Sequence, residues 1–432
     1  MMMKKTKYLL IIAFVTLSLP MSAQKLFSLE DLNFGGNNYR NLQPENKWLT
    51  WWGDELVRTD VEECYLVDKK TGKETRLFTL DEVNKWANSD EEANRYVRHL
   101  MNATFPYPDL PLVALGNKQS FLLLDFKKHE IVWQDSISGQ TANDWNKTSR
   151  ATAYVEDYQL FVVDGEGKKH QLSIDGSRSV VYGSAVHRNE FGIHKGTFWS
   201  PDGQRLAFYR MDQSMVQDYP QVDIFPREAT YEPDKYPMAG MNAHVVTVGV
   251  YDINTNKTVY LKTPVGSVCG DSVATSTPIY FTNIAWSPDA KTIYMFELNR
   301  DQNDCRLVSY DTSTGERIAE LYRETSDKYV EPMNPIQFLP WDNNKFIMQS
   351  QRDGYNHLYL YNKEGKLLSQ LTSGSWVVQE VLGFNAKQKS TSHIFIDKVI
   401  RELSGVILSR APKLCNFVEW RGYKVVYKRY FD

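Results

Sequence analysis

The chain of 432 residues is too long for one ordinary hydrophobic core, unless that core belongs to a barrel or a repeat array. Hydrophobic residues make up 42% of it and charged residues 24%, which is typical of a soluble globular protein. The formal net charge of −3 leaves no basic excess to neutralise phosphates, so a nucleic-acid binder is excluded.

Residues 1–23 have the pattern of a secretory signal peptide. Lysines precede the apolar run from Tyr8 to Leu19, and the small residues Ser22 and Ala23 mark a cleavage site. This run is shorter than the roughly 20 residues that a membrane-spanning helix needs, and no later stretch is long and apolar enough. The sequence therefore predicts a mature chain that is periplasmic or secreted and has no membrane span.

Short runs of alternating or aromatic-rich residues recur along the chain, each interrupted by Gly, Asn or Asp. Each run predicts a β-hairpin, because two strand-like stretches flank a polar turn. The runs lie at 63–80, 119–135, 158–176, 246–263, 305–322 and 357–372.

A second pattern alternates with these hairpins. The stretches "TFWSPDGQRLAFYR" (197–210) and "NIAWSPDAKTIYMFEL" (283–298) share an aromatic residue, then Ser-Pro-Asp, then a strand, and 336–350 is a weaker copy. Pro at the first corner of a type I turn sets φ, so the signal has a mechanism. Together the two patterns give four strands over roughly 40–55 residues, the period of a β-propeller blade. We predict an all-β, incomplete propeller of the eight-bladed type, with about six blades between 45 and 376 and a seventh beginning at 376–384.

Three segments interrupt this pattern. Residues 79–101 are polar and charged, with a plausible cap at Thr79, and predict a small helical insertion. Residues 211–242 form a long Pro- and Tyr-rich loop, which at that length is functional or a contact arm. Residues 391–432 show neither the turn motif nor the strand period, so we expect nothing in them to continue the seventh blade.

The four cysteines, Cys64, Cys269, Cys305 and Cys415, have no CxxC spacing, which argues against a metal site. Two alternatives stay open for Cys269 and Cys305: a disulfide in an oxidising compartment, or buried free thiols.

Several long motifs now identify a family resemblance. The run "VVYGSAVHRNEFGIHKGTFWSPDGQRLAFYRMDQSMV" (180–216) resembles the bacterial prolyl tripeptidyl peptidases, close kin of dipeptidyl peptidase IV in the prolyl oligopeptidase family. The stretches at 236–252, 349–361 and 371–385 are similar to the same relatives in the same order, and the resemblance covers roughly residues 25–389. It implies an eight-bladed propeller on an α/β-hydrolase domain, in a homodimer. The peptide substrates would have a free N-terminus and a proline near the cleavage site.

The resemblance also assigns a substrate site. In such relatives the polar segment before "FWSP" projects into the cavity, and its Glu binds the ammonium group of the peptide; the matching residue here is Glu190. In a partly enclosed cavity an ion pair at 4 Å contributes roughly 4 kcal/mol before desolvation. Dipeptidyl peptidases carry two adjacent Glu at this point, whereas Asn189 precedes Glu190 here, which favours the tripeptidyl type. Arg188 either contacts substrate carbonyls or pairs with a nearby carboxylate, and we prefer the second.

Catalytic residues are not found. No Gly-x-Ser-x-Gly nucleophile elbow occurs, and the last histidine is His393. We therefore expect residues 24–390 to be the gating propeller of a serine exopeptidase, inactive alone, without cofactor or metal. Residues 391–432 would be an unrelated tail, out of frame or naturally diverged. The alternative function is a stand-alone periplasmic propeller that acts as a binding or scaffold module.

Overall fold

The computed structural model describes residues 28–33, 36, 38, 47–87, 96–116, 120–136, 140–264, 278–385, 390–397, 417–420 and 423–430. The chain divides into two compact units, Met1–Trp48 and Leu49–Asp432. In the first unit, helix α1 (Leu29–Leu32) begins with a capping box, in which Ser28 and Asp31 each bond the backbone N–H of the other. The predicted signal peptide lies outside the described residues.

From Trp48 onward the described chain folds into antiparallel sheets that follow one another in sequence. Within the first three sheets, strands that are consecutive in the chain are neighbours. The first sheet contains β1 (Trp48–Trp52), β2 (Glu55–Thr59), β3 (Glu63–Val67) and β4 (Glu74–Thr79). The second contains β5 (Leu112–Gly116), β6 (Ser120–Asp125) and β7 (Glu130–Ser136). The third contains β8 (Thr141–Trp145), β9 (Thr152–Glu156), β10 (Gln159–Val163) and β11 (Lys169–Gln171).

The fourth sheet carries an arm. Its strands β12 (Val180–Tyr182) and β13 (Thr197–Trp199) both pair with β14 (Arg205–Asp212). Short strands then form two successive ribbons of one hairpin, β15 (Asp218–Tyr219) with β18 (Asp234–Lys235), and β16 (Val222–Asp223) with β17 (Thr230–Tyr231). The sheet is completed by β19 (Val245–Asp252) and β20 (Lys257–Tyr260). The segment predicted as a loop at 211–242 is therefore largely a β-ribbon, which we call the arm (residues 213–242).

The fifth and sixth sheets repeat the four-stranded pattern. The fifth contains β21 (Pro278–Trp286), β22 (Thr292–Asn299), β23 (Asp304–Asp311) and β24 (Arg317–Thr325). The sixth contains β25 (Gln337–Leu339), β26 (Asp342–Ser350), β27 (His357–Asn362) and β28 (Leu367–Gln370). Every hairpin predicted from the sequence is present.

The seventh sheet corrects the prediction for the last residues. It contains β29 (Trp376–Asn385), β30 (Ser390–Asp397), β31 (Phe417–Trp420) and β32 (Tyr423–Tyr430), in the order β29-β30-β32-β31. The expectation that nothing after 391 continues this blade was wrong. The sequence of β32, "YKVVYKRY", is rich in β-branched and aromatic residues, which favour strands although no turn motif of the earlier blades is present.

The predicted helical insertion is confirmed at its start. Helix α2 (Leu80–Trp86) begins at the Thr79 cap, whose hydroxyl accepts from the Glu82 N–H while the Glu82 carboxylate accepts from the Thr79 N–H. The buried Asn84 side chain bonds the backbone of Leu80 and Val97, which ties the helix to the chain that follows. Residues 88–95 of the insertion lie outside the described residues.

The Ser-Pro-Asp motif makes the same turn in the fourth and fifth sheets. Ser200 Oγ donates to Asp202 at 2.5 Å and accepts from the Arg205 N–H, which closes the turn between β13 and β14. Ser287 makes the equivalent bonds to Asp289 and from Thr292. The motif therefore acts through side-chain bonds to the backbone, in addition to the fixed φ of proline.

The core lies between neighbouring sheets. Ala153 and Val162 of the third sheet pack with Leu206 and Phe208 of the fourth, all fully buried. Similar clusters join the other neighbouring sheets of the described chain. Sheets that are consecutive in the chain and bury their faces against one another are the blades of a β-propeller, as predicted. The described residues contain no α/β-hydrolase domain.

Two of the four cysteines lie within the described residues. Cys64 and Cys305 are buried free thiols, and burial raises the pKa of Cys64 to about 12. Cys269 and Cys415 lie outside the described residues. Of the two alternatives for Cys305, the structure shows the free thiol.

Candidate functional site

The segment singled out by the sequence is a strained turn between β12 and β13. His187, Arg188, Asn189 and Phe191 all have positive φ, between 53° and 63°. The left-handed conformation costs a non-glycine residue roughly 1–2 kcal/mol. Glu190 alone keeps an extended backbone, with φ −66° and ψ 168°. Such concentrated strain persists only where surrounding contacts enforce it, and it clusters at functional sites.

Two buried side chains anchor this turn. The His187 ring is 2% exposed and lies 2.8 Å from the His244 ring, Nδ1 to Nε2. Its Nε2 accepts from the backbone N–H of Phe281 at 3.2 Å. Phe191, also 2% exposed, packs in the cluster of the fifth and sixth sheets. The turn is therefore fixed at both ends, through His187 to the fourth and fifth sheets and through Phe191 to the fifth and sixth.

A third anchor connects the turn with the loop between the fifth and sixth sheets. The Asn283 amide donates to the Phe191 carbonyl at 3.2 Å and to the Pro332 carbonyl at 2.6 Å. Gly192 lies so close to Met333 that a Cβ there would be 2.2 Å from its carbonyl oxygen. The backbone of the turn is thus packed against residues 332–333.

The three predicted site residues lie together on the exposed side of the turn. The Asn189 and Glu190 side chains are exposed and make no hydrogen bond or ion pair with any described residue. Arg188 pairs with Asp234 of the arm at 2.8 Å and lies 5.3 Å from the centre of the Tyr236 ring. Arg188 therefore has the carboxylate partner that we preferred for it, and its role towards a substrate stays a prediction.

The Glu190 side chain is exposed among the described residues, whereas the resemblance implied a carboxylate in a partly enclosed cavity. An ion pair at an exposed carboxylate is worth ~0–1 kcal/mol, well below the roughly 4 kcal/mol expected in a cavity. The carboxylate does lie near Tyr280, whose pKa is raised by burial, with a smaller contribution from the charge of Glu190. The site therefore offers an unpaired anion on a rigid turn, but little desolvation.

A cavity of about 340 Å³ lies beside the turn, and sequence reasoning missed it. Met333, which packs on Gly192, is one of its lining residues, together with Glu324, Tyr329 and Arg352. The Arg352 guanidinium lies 4.3 Å and 4.0 Å from the centres of two tyrosine rings, which hold it in place. The run "QSQRDGYNHLYLY" contained part of the signal, since it includes Arg352 and Tyr359, whereas the second ring, Tyr322, belongs to β24 of the preceding sheet.

Other kinds of site were sought in the same part of the chain. Among the described residues, no group of three or more His, Cys, Asp or Glu side chains could hold a metal ion. None of the described helices is both long and apolar enough to cross a membrane.

Two family models match this chain. The model of the dipeptidyl peptidase IV (DPP IV) N-terminal region matches residues 116–394, more than half of the chain. The model of the clathrin adaptor complex small chain matches residues 387–432, a small part of it. The second match overlaps the first at 387–394.

Curated relatives and solved structures agree with the first match. Inactive dipeptidyl peptidase 10 of Rattus norvegicus is 24% identical over 397 residues, which cover 84% of this chain and 46% of that protein. The crystal structure of a Bacteroides ovatus protein assigned as a dipeptidyl aminopeptidase IV matches this chain with a TM-score of 0.72 and 42% sequence identity. The match covers 86% of this chain and 53% of the Bacteroides ovatus chain. Dipeptidyl peptidase 4 of Porphyromonas gingivalis shares the fold, with 19% identity, a TM-score of 0.63 and coverage of 86% and 52%.

The fold defines the class of this protein: it is a β-propeller, with seven consecutive blade sheets in the described residues. The extent of the first model match then settles the family. The chain belongs to the family of the dipeptidyl peptidase IV N-terminal region. It spans about half the length of the relatives reported above.

Proposed function

We propose that residues 24–390 form the substrate-gating propeller of an exported, prolyl-specific serine exopeptidase, in which Glu190 binds the amino terminus of the peptide. The observation that carries this proposal is the unpaired, exposed Glu190 carboxylate on a turn of four strained residues anchored by buried contacts. Backbone strain that is maintained around one exposed carboxylate supports a binding role, because a loop that is merely solvated can relax to an unstrained conformation. The chain alone is inactive in this proposal, because the described residues contain no hydrolase domain.

The neighbouring side chains set the proposed specificity. Asn189 precedes the single Glu190, and its amide oxygen accepts a hydrogen bond from the peptide ammonium group. Asn189 contributes no second charge, which favours the tripeptidyl type over the dipeptidyl type. Arg188 is occupied by Asp234, so it orients the arm and does not contact substrate.

The proposal includes a homodimer in the intact peptidase and export by the signal peptide at 1–23. The arm supports the first part: Phe225 and Ile224 at its tip are 95% and 75% exposed, and exposed apolar groups of this kind mark protein contacts. The apolar run at the amino terminus supports the second.

A second candidate function is a propeller that binds a partner without catalysis. One relative is described as an inactive dipeptidyl peptidase, so the family includes a protein without that activity. In this alternative, the propeller of the present chain acts as a binding or scaffold module, and Glu190 has no preference for a free amino terminus.

The two candidates are separated by a thermodynamic cycle on the purified full chain. Binding of a Xaa-Xaa-Pro tripeptide and of its N-acetylated form is measured by NMR titration, with the wild type and with Glu190→Gln. Because the carboxylate is exposed, we expect acetylation to weaken wild-type binding by up to about fivefold, which corresponds to about 1 kcal/mol. Glu190→Gln should bind both peptides equally.

A matched control comes from the same surface. Glu228 lies in the arm and is also exposed, so Glu228→Gln changes the net charge equally without touching the turn. It should leave the preference for the free amino terminus intact. Equal binding of both peptides by the wild type would contradict the proposal and favour the scaffold alternative.

A further inference from the structure

We propose that His187 and His244 are a positioning pair that holds the Glu190 turn in its strained form, and that protonation of the pair releases the turn. The proposal deepens the proposed function, because it makes the site that presents Glu190 sensitive to acid. Its structural part depends only on the histidine contacts, and it is testable without any peptide.

The hydrogen bonds allow one arrangement of protons. The Phe281 N–H donates to His187 Nε2, so this nitrogen carries no proton in the neutral ring. The proton of His187 then lies on Nδ1, which donates to His244 Nε2 at 2.8 Å. His244 must in turn carry its own proton on Nδ1. Both rings are neutral in this arrangement, and each nitrogen of His187 is satisfied.

A second proton on either ring breaks the arrangement. On His187 it would occupy Nε2 and face the Phe281 N–H, so two donors would oppose each other. On His244 it would occupy Nε2 and face the Nδ1–H of His187. If the Nδ1 proton of His187 moves to its Nε2, the His244 contact is restored, but the His187 Nε2–H then faces the Phe281 N–H. Protonation therefore costs at least one buried hydrogen bond.

The surroundings of the pair oppose a positive charge. Both rings are buried, with His187 2% and His244 6% exposed. Burial and the neighbouring ring lower the pKa of His187. Burial and the charges of Arg188 and Arg300 lower the pKa of His244 to about 4. The Tyr280 ring lies edge-on, 5.1 Å from the His187 ring, and brings no negative charge.

The pair is placed where its loss would matter. His187 is the first left-handed residue of the turn, and its carbonyl oxygen accepts a hydrogen bond from the Glu190 N–H. His244 precedes β19 and Phe281 lies in β21, so the pair connects the turn to both neighbouring sheets. Without it, the strained residues can relax and the Glu190 carboxylate loses its fixed position.

Hydrogen exchange tests this directly on the full chain. Exchange of the Phe281 amide and of residues 187–193 is measured between pH 7 and pH 4, corrected for the intrinsic pH dependence of exchange. Protection should fall at least about tenfold as the pH drops from 6.5 to 4, because each pH unit below the unfolded pKa can contribute up to tenfold. The Tyr359 amide in β27 serves as the reference and should keep its protection.

Two variants separate the pair from general acid unfolding. His244→Gln retains an acceptor for the His187 Nδ1–H but removes one titrating ring, so acid release should move to lower pH. His170→Gln removes another buried histidine, paired with Asp164 in the third sheet, and should leave the release unchanged. Loss of protection at 187–193 and at Tyr359 together, or an unshifted release in His244→Gln, would overturn the proposal.

A measurement on the wild type keeps the proposal testable if a variant fails to fold. Nitrogen-15 NMR of the imidazoles at pH 7 should show an unprotonated Nε2 on both rings, and a protonated Nε2 on His187 would overturn the proposal. If exchange behaves as expected but no peptide binds, the positioning pair stands and the proposed function fails.

Discussion

Indole hydrogen bonds link neighbouring blades, and removing one gives a sharp test of the packing. Trp286 Nε1 donates to the Phe198 carbonyl at 3.0 Å, and Trp199 Nε1 donates to the Asp144 carbonyl at 2.8 Å. In each case an aromatic residue at the start of a Ser-Pro-Asp turn donates to a strand of the preceding sheet, β13 for Trp286 and β8 for Trp199. The perturbation is Trp286→Phe, which keeps an aromatic ring and removes the donor.

The expected loss has two parts. The hydrogen bond to the Phe198 carbonyl is part-buried, so leaving this carbonyl without a donor costs up to about 1–3 kcal/mol, and the smaller ring adds a packing loss. Trp145→Phe measures the packing loss without the loss of a hydrogen bond, because the Trp145 Nε1 is buried and has no hydrogen-bond partner among the described residues. Trp145 and Trp286 are both half-buried and line the same cavity, so their packing losses are comparable. Trp286→Phe should therefore exceed Trp145→Phe by about 1–3 kcal/mol in free energy of unfolding.

The assay is urea unfolding followed by far-ultraviolet circular dichroism, which does not depend on the tryptophan that is removed. We expect a lower midpoint for Trp286→Phe with an unchanged slope, and a smaller shift for Trp145→Phe. Equal shifts for the two variants would refute the idea that the indole bonds join the blades.

Two further predictions concern stability. Lowering the pH from 6.5 to 4 should remove about 3 kcal/mol from the free energy that keeps the turn at 187–193 closed, because the pKa of His244 is about 4 in the closed turn and 6.5 when the ring is free. The contribution is fully present above pH 6.5 and is lost as the pH falls towards 4; hydrogen-exchange protection of the turn that does not fall over this range would contradict it. Gly203→Ala should lower the melting temperature of the protein more than Gly72→Ala does. Both glycines have φ near +70°, so the backbone strain of an alanine is the same at the two positions. A Cβ at Gly203 would also lie 2.5 Å from a side-chain oxygen, whereas Gly72 faces open space. Equal melting temperatures would show that the neighbour moves aside.

Local chemistry made most of the fold predictable. The hairpins followed from alternating strands and polar turns, and the Ser-Pro-Asp turns carry their own side-chain bonds, so each could be recognised within a few residues. The cap of α2 was visible for the same reason. The strands of the arm were missed because stretches of two residues are too short to show a periodic pattern. In the seventh sheet β29 was predicted, whereas β30, β31 and β32 were missed because the turn motif of the earlier blades is absent there.

The candidate site was predictable only in part. The resemblance pointed to Glu190, Asn189 and Arg188, and the structure places them on one turn with Arg188 paired to Asp234. The exposure of Glu190 was not foreseen, since enclosure depends on what covers the turn. The left-handed backbone and the contact between His187 and His244 were also missed, because non-glycine residues adopt positive φ only under tertiary constraints.

The central claim is that the Glu190 carboxylate receives the amino terminus of a peptide, and a crystal structure of the full chain with a Xaa-Xaa-Pro tripeptide tests it most directly. We predict the peptide ammonium nitrogen within about 3 Å of a Glu190 oxygen, as in a charge-assisted hydrogen bond, with the turn unchanged. A bound tripeptide whose ammonium group contacts other residues, while Glu190 remains in solvent, would contradict the claim.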